Sequence, residues 1–597
     1  MPLTPLVGPL GIKRAAHLLR RTCTSASIPE IENFATLTAQ EAIHLLIQEN
    51  LPTPNPPIDP ATGEEWITNG PVEDVNSDNL MDLLNRWMVG QMFAPGVDES
   101  QKLSVAFRER IIFFFHTHFT TKKEKVQDTQ AIFYQNALFR FYAFDRDDIE
   151  IPVENPDPES EEVLPPIIYP VNFKQLTKKV SVENAMLIFL DGRQNVSGSP
   201  NENYGRELLE LYAIGRGLEG TNLQGDFEGD YVNYTEQDVQ AAARVLSGFD
   251  VDSSYSNIDE ETGIPRGVIR GGATATHHDN SSKQFSARMN NHVIEGDSEL
   301  MQGSSATEES VIDEIGQLVD LIYDNPETSR YICRKIYRFF CYHEVDENIQ
   351  NGIIQDLADV FTSNDFKLTP VFEALFTSQE FYEGAAGKTD DFFGSIIKSP
   401  LDLTIGFFRN FNISIPNYET EATMFYDVIG GILSSMRSQG MNYYEPFEVA
   451  GYSAFHQYPI FNRSWITTNY LTNRYNFING KFVPGEMVDM YDVNPYLFVT
   501  SNIPDSTARN AQDLITSLAG YFLPLSENLD FAGSATSELT EERLTYFMSS
   551  LLSDMDVNPE EAWTANWDSS DRDIDKIDNQ LTGLFNAMLQ SPEYQLM

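Results

Sequence analysis

Apolar residues recur every three to four positions along most of this chain, which is the spacing of one face of an α-helix. Alternating, strand-like runs are few and short. The pattern predicts an all-α protein, a large multi-helix, bundle-like assembly with long surface loops and at most a small β-hairpin. The helical periods lie near 36–49, 78–94, 100–119, 128–145, 172–190, 200–214, 235–247, 309–323, 327–343, 347–363, 396–411, 422–438, 464–476, 508–522, 538–553 and 573–590.

Three stretches lack this period. Residues 145–170 are acidic and rich in proline, residues 215–234 are acidic and rich in glycine, and residues 250–307 are rich in glycine, serine and asparagine. We expect the first two to be surface loops, and the third to be a loop region that holds the hairpin. A chain of 597 residues is also expected to contain several structural units. We place them at 1–165 for an N-terminal helical region, 166–390 for a central region with the polar motifs, and 391–597 for a C-terminal helical region.

The chain is strongly acidic, with 40 Lys plus Arg against 89 Asp plus Glu and a formal charge of −49. Such a surface repels phosphate backbones, so no nucleic-acid partner is expected. No apolar run is long enough for a transmembrane segment, and no export signal is visible at the N-terminus. The three cysteines, Cys23, Cys333 and Cys341, are too few for a disulfide framework and are interpreted as small buried side chains.

The clearest candidate for chemistry lies between Ser199 and Gly215. Ser199 is predicted to cap a helix in a capping box with Glu202, and Gly215 to end that helix in a left-handed cap. On the exposed side, Glu207 and Glu210 are three residues apart, so the two carboxylates could hold a cation or share a proton. Arg206 could bind an anionic group, and Asn201 and Asn203 lie beside it on the sequence. The alternative is a structural ladder of ion pairs, Glu202 to Arg206 to Glu210, at helical spacing.

Two histidines, His116 and His118, follow an apolar helical run. Residues two apart on an α-helix point about 200° away from each other, so both rings cannot face one metal ion unless the helix ends between them. A single metal ligand or proton carrier from the pair is possible. The alternative is a pair of packed, hydrogen-bonded histidines.

A third group is His278 and Asp279, with Lys283 shortly after them in the irregular stretch. Imidazole and carboxylate are common ligands of zinc and other divalent transition metals. A turn with exposed histidines is an equally good interpretation. The segment 235–249 lies between the glutamate-bearing segment and this histidine group. Its stripe of small residues predicts close helix packing. Arg244 is not part of that stripe and could reach Glu207 or Glu210.

Taken together, these motifs resemble a bacterial family known as domain of unknown function 1800. The matching stretches are His17-Leu18-Leu19-Arg20-Arg21, His116-Thr117-His118-Phe119, Pro200-Asn201-Glu202-Asn203-Tyr204, Arg206-Glu207-Leu208-Leu209-Glu210-Leu211, Tyr234-Thr235-Glu236-Gln237-Asp238-Val239, Ala243-Arg244-Val245-Leu246-Ser247-Gly248-Phe249, His278-Asp279 with Lys283 and Phe285, and Lys398-Ser399-Pro400 with Trp465 and Arg474. The resemblance implies a fold shared over nearly the whole chain and an exported or envelope setting with a possible protein partner. It implies no reaction.

Two functions remain open at this point. The first is a metal-assisted hydrolase. Its catalytic residues would be Glu207, Glu210, Arg206 and His116. Its substrate-binding residues would be Asn201, Asn203, Arg244 and Lys283. The ligands of its divalent metal ion would be His118, His278 and Asp279. The second is a non-catalytic envelope or extracellular scaffold in which the same polar network is structural. An enzyme should leave these side chains open to solvent, whereas a scaffold should pair and seal them.

Overall fold

The computed structural model describes residues 3–48, 50–68, 78–152, 165–220, 231–383, 396–485, 491–553 and 557–597. The α-helices of its first part are α1 (Gly11–Cys23), α2 (Ile28–Ala35), α3 (Ala39–Leu46), α4 (Asp78–Gln91), α5 (Lys102–His118), α6 (Lys123–Val126), α7 (Thr129–Tyr142), α8 (Phe173–Val180), α9 (Asn184–Phe189), α10 (Glu202–Glu207) and α11 (Glu236–Val245).

The α-helices that follow are α12 (Glu308–Tyr323), α13 (Pro326–Phe340), α14 (Glu347–Asn351), α15 (Ile353–Ser363), α16 (Thr369–Phe376), α17 (Gln379–Glu383), α18 (Pro400–Asn410), α19 (Ala422–Ser438), α20 (Ser453–His456), α21 (Thr468–Ile478), α22 (Pro495–Asn502), α23 (Asp505–Ala508), α24 (Ala511–Phe522), α25 (Glu541–Leu551), α26 (Pro559–Trp567) and α27 (Ile574–Leu589).

Strands are short and scattered. The strands are β1 (Ile149–Ile151), β2 (Ile167–Tyr169), β3 (Phe249–Asp250), β4 (Val268–Ile269), β5 (Lys283–Gln284) and β6 (Val293–Ile294). They pair in antiparallel fashion as β1 with β2, β3 with β4 and β5 with β6. The predicted all-α class is therefore confirmed, although the described residues form three such ribbons, where a single hairpin was expected. Two of the ribbons lie in the predicted irregular region.

The helices enclose a continuous apolar core that is rich in aromatic rings. Phe107 on α5, for example, meets Phe340 of α13 and Phe372 and Phe376 of α16 at centroid distances of 5.8–6.3 Å. The three cysteines are free and buried in this core, as predicted. Among the described residues, no helix is long and apolar enough to cross a membrane. The three-region division remains a prediction.

The candidate site is positioned by a very close contact between α10 and α11. A Cβ atom on Gly205 would lie 2.9 Å from both the Ala243 nitrogen and the Val239 carbonyl oxygen. Only glycine allows two helix backbones to approach so closely. A capping box of Thr235 and Asp238 starts α11, and Asp238 also accepts hydrogen bonds from Ser286, which ties the irregular region to this helix.

Candidate functional site

The helix that carries the two glutamates begins later than the sequence predicted. Its N-cap is Asn201, whose side chain accepts a hydrogen bond from the Asn203 backbone at 3.0 Å, and Ser199 is not the cap. Ser199 instead closes a tight turn with Val196, and Asn195 holds the Asn201 backbone at 3.0 Å. Asn201 thus has a structural use, whereas the Asn203 side chain is exposed.

Directly after Glu207 the helix widens into a π-helical turn, Leu208–Ala213. The backbone N–H groups of Ile214 and Gly215 both donate to the Leu209 carbonyl, at 3.1 and 2.9 Å. Gly215 ends the segment with a φ of +70°, as its predicted left-handed cap requires. Single π-helical turns are rare and occur frequently at functional sites.

Side chains from two other helices satisfy the carbonyl groups at the end of this π turn. The Leu211 carbonyl accepts hydrogen bonds from the Lys335 ammonium group at 2.7 Å and from the Tyr331 hydroxyl at 3.0 Å, both on α13. The Tyr212 carbonyl lies 2.8 Å from Nε2 of His118, which therefore carries the proton on Nε2. His118 is thus used to hold the backbone of the glutamate-bearing segment.

Arg206 lies on the surface and is paired on both sides. Its guanidinium group donates to Glu236 of α11 at 2.8 Å and to Glu202 at 3.4 Å. The second half of the predicted ladder is not formed, because Glu210 pairs with Arg216 at 2.6 Å and accepts a hydrogen bond from the Tyr234 hydroxyl at 3.2 Å.

Glu207 differs from its neighbours, because no ion pair or hydrogen bond of its carboxyl group is present among the described residues. The side chain is half-buried. Burial and the nearby charge of Glu210 raise its pKa to about 7, against the opposing influence of Arg206 and Arg216. Glu207 therefore holds a proton over part of the neutral pH range, beside a carboxylate that is ion-paired.

Arg244 does not reach either glutamate, although α10 and α11 pack side by side as predicted. Its Nε donates to Asp279 at 2.8 Å, and its terminal nitrogen donates to the hydroxyl of Ser281 at 2.6 Å. Burial acts to raise the pKa of Asp279, but the hydrogen bonds from Arg244 and Ser281 outweigh it and lower that pKa. The prediction was wrong about the partner because Arg244 stands off the face that α11 turns towards α10.

His278 and Lys283 form a sealed cluster with Glu314 of α12. Glu314 accepts a very short hydrogen bond from the Lys283 ammonium group and another from Nε2 of His278 at 3.2 Å. All three side chains are 0% exposed. Nδ1 of His278 lies 2.9 Å from the Ser247 carbonyl. Lys283 was predicted to bind substrate and His278 to bind metal. The ammonium group of Lys283 and both ring nitrogens of His278 are, however, already engaged by protein groups.

His116 is fully buried, and its ring stacks on Tyr444 at a centroid distance of 3.7 Å. Neither ring nitrogen has a hydrogen-bond partner in the part of the chain that the structure describes. Burial lowers its pKa to about 3, so the ring is neutral. Because α5 is continuous through His118, the two histidines face different surroundings, as the two-residue spacing predicts.

The three predicted metal ligands, His118, His278 and Asp279, do not converge. Their side chains contact Tyr212, Glu314 and Arg244 respectively. Across the described ranges, no group of three or more His, Cys, Asp or Glu side chains is arranged to hold a metal ion. The three residues therefore do not fit the divalent metal ion of the metal-assisted hydrolase, one of the two functions that the sequence left open.

A family model described as a protein of unknown function, DUF1800, matches residues 17–596. The chain belongs to the DUF1800 family. No curated protein and no solved structure matches it. The match covers every motif discussed above, including the histidine pair of α5 and the glutamates of the π turn.

Sequence reasoning missed three charged residues that complete the site in this DUF1800 chain: Glu236, Arg216 and Glu314. Glu314 had a signal, because it lies on the apolar face of α12 between Val311 and Leu318, and a charged residue there needs a buried partner. Glu236 and Arg216 had no such signal, since both are exposed or half-exposed ion-pair partners brought in by tertiary packing.

Proposed function

We propose that this protein is a hydrolase in which Glu207 acts as the general acid and base, without a metal ion in the proposed step. The observation that carries the proposal is the Glu207 carboxyl group, which is half-buried, lacks a partner among the described residues and lies three positions from the ion-paired Glu210. A carboxyl group whose surroundings raise its pKa to about 7 is suited to general acid–base catalysis at neutral pH.

In this proposal the protonated Glu207 donates its proton to the leaving-group oxygen of the substrate and then receives one from the attacking water. General acid–base catalysis by one positioned group typically contributes about 10²- to 10⁴-fold in rate. Burial raises the pKa of Glu207, and Glu210, held close by its contacts with Arg216 and Tyr234, raises it further. Arg206 directly precedes Glu207 on α10. A substrate that displaced Glu202 or Glu236 would meet the guanidinium group of Arg206.

The π turn supports this assignment on structural grounds. Its carbonyl groups need donors from α5 and α13, so three side chains (His118, Tyr331 and Lys335) are committed to holding the turn that directly follows Glu207. The last four carbonyl groups of any helix lack a partner within the helix, and here side chains of two other helices supply it. These contacts hold the turn that directly follows Glu207 and so help to fix the position of its carboxyl group.

The test is hydrolysis of a panel of chromogenic esters, glycosides and phosphate monoesters by the wild-type protein and by Glu207→Gln. We expect the substitution to lower kcat/KM at least 100-fold on any substrate that the wild type cleaves. The matched control is Glu299→Gln, an exposed glutamate in the irregular region, which should change nothing. The rate should fall as the pH rises through about 7, because the general acid is then lost. Equal rates for wild type and Glu207→Gln would contradict the proposal.

A non-catalytic scaffold is the second candidate, and the sealed cluster of His278, Lys283 and Glu314 favours it. In this role the polar network fixes helix register, and the setting would be the exported or envelope one that the family resemblance implies. No cleavage of any panel member by folded wild-type protein would favour the scaffold. Stoichiometric zinc, manganese or iron in elemental analysis of the purified protein would instead return the metal-assisted hydrolase to consideration.

A further inference from the structure

A small cavity lies beside the π turn, between α5, α13 and α20. Its volume is about 20 Å³, enough for one or two small non-hydrogen atoms, and the side chains of Lys335 and His456 line it together with the rings of Phe114, Phe339 and Phe455. Of these cavity residues, only Lys335 also contacts the π turn that follows Glu207, through its hydrogen bond to the Leu211 carbonyl.

Lys335 is unusual for a lysine in so acidic a protein. Across the described residues its ammonium group makes no ion pair with a carboxylate, and its hydrogen bond goes to the neutral Leu211 carbonyl at 2.7 Å. Burial lowers the pKa of the Lys335 amine to about 7, with Glu219 acting in the opposite direction and Arg338 adding to the decrease. Part of the side chain remains accessible.

His456 lies in the same cavity with one unsatisfied nitrogen. A hydrogen bond to the Gly451 backbone holds its ring, while Nε2 is buried without a hydrogen-bond partner in the described structure; the Glu448 carboxylate is 3.9 Å from it. Burial lowers the pKa of His456, and the charge of Lys335 lowers it further. The neutral ring therefore presents Nε2 as a proton acceptor within the cavity that Lys335 lines.

We propose that Lys335 and His456 form a second reactive site, which binds formaldehyde, the smallest aldehyde, as an imine on the lysine amine. The neutral amine attacks the carbonyl carbon, so that an N–C bond forms and the π electrons of the C=O bond move to oxygen. His456 takes a proton from the attacking nitrogen and returns it to the oxygen. The oxygen is then a hydroxyl group, and His456 carries the second proton from nitrogen to it in the same way. The C–O bond breaks, water leaves and the C=N bond forms, with no oxidant or reductant needed.

The aromatic walls and the size of the cavity define the ligand class. The rings of Phe114, Phe339 and Phe455 offer no donor for a carboxylate or a phosphate, so a neutral aldehyde fits better than an oxo acid. The charged and titratable groups near the amine are His118 of α5, Arg338 of α13, His456 and Glu448 of the α20 region, and Glu219. Arg338 and Glu219 are paired with each other at 2.6 Å and so are not free to bind an anion.

The experiment is reductive methylation of the full-length protein with limiting formaldehyde and cyanoborohydride, which reduces imines as they form. Peptide mass spectrometry then compares Lys335 with Lys125, an exposed lysine on α6 that pairs with Asp191 at 3.2 Å. Burial lowers the pKa of the Lys335 amine to about 7, so that a large part of it is in the reactive neutral form at pH 7, and we expect Lys335 to react at least tenfold faster than Lys125. The ratio should fall as the pH approaches 10. Equal labelling of the two lysines at pH 7, or no labelling of Lys335, would overturn the proposal.

The variant His456→Gln tests the proton carrier. It should slow the labelling of Lys335 several-fold at pH 7 and leave Lys125 unaffected, while the pH at which Lys335 labelling is half-maximal stays near 7. An unchanged rate would remove His456 from the site. Because neither measurement involves Glu207, these results are independent of the hydrolase proposal.

Discussion

Replacing Glu207 by glutamine should stabilise the protein, and only above acidic pH. The folded protein raises the pKa of Glu207 from 4.5 to about 7, because the carboxylate is half-buried and close to Glu210. One pKa unit corresponds to about 1.4 kcal/mol, so ionised Glu207 makes the folded state less stable by about 2–3 kcal/mol after allowance for its partial exposure to solvent. Glutamine removes this cost because it carries no charge.

The size of this stabilisation depends on pH. Below about pH 4.5 Glu207 is protonated in both the folded and the unfolded chain, so the substitution changes little. Between about pH 4.5 and 7 the unfolded chain releases the proton while the folded protein keeps it, and the wild type loses stability relative to Glu207→Gln. Above pH 7 the difference is constant.

Urea unfolding of wild type, Glu207→Gln and the control Glu299→Gln at pH 5 and pH 8.5 measures this difference. We expect Glu207→Gln to gain about 2 kcal/mol more at pH 8.5 than at pH 5, and Glu299→Gln to show no such dependence. A gain that is the same at both pH values would refute the reasoning, since it would show that the Glu207 carboxyl group is not destabilised by its charge.

Four further substitutions test the packing around the site by the free energy of unfolding. Glu314→Gln should cost about 3–5 kcal/mol, because the buried Lys283 charge loses its partner, and a loss below 1 kcal/mol would contradict the sealed ion pair. His118→Phe should cost about 1–3 kcal/mol by leaving a π-turn carbonyl unsatisfied, whereas His116→Phe should stay within about 1 kcal/mol, since that ring makes no hydrogen bond in the described structure; equal costs would argue against this assignment. Gly205→Ala should cost about 1–3 kcal/mol because the new Cβ atom meets backbone atoms of α11, and an unchanged stability would mean that the two helices separate easily.

The all-α architecture could be predicted because it depends on local spacing. The apolar period, the capping box of Thr235 and Asp238 and the left-handed Gly215 are all determined by residues close together in the sequence. The small-residue stripe of α11 likewise predicted close packing, because a narrow helix face suits only a close neighbour. The exclusion of a shared metal site for His116 and His118 followed from the same helical geometry.

The partners of the charged side chains were decided by the tertiary structure. The packing of α11 against α10 suggested that Arg244 lies near the glutamates, but Arg244 pairs with Asp279. Glu210 pairs with Arg216, which follows the helix, although Arg206 lies four residues before Glu210. The π turn has no simple sequence pattern, since it is stabilised by donors on α5 and α13 that lie about a hundred residues away on either side. Local periodicity fixes which residues form helices, but an ion pair is chosen by which charges meet when those helices pack, and that information lies in the folded structure alone.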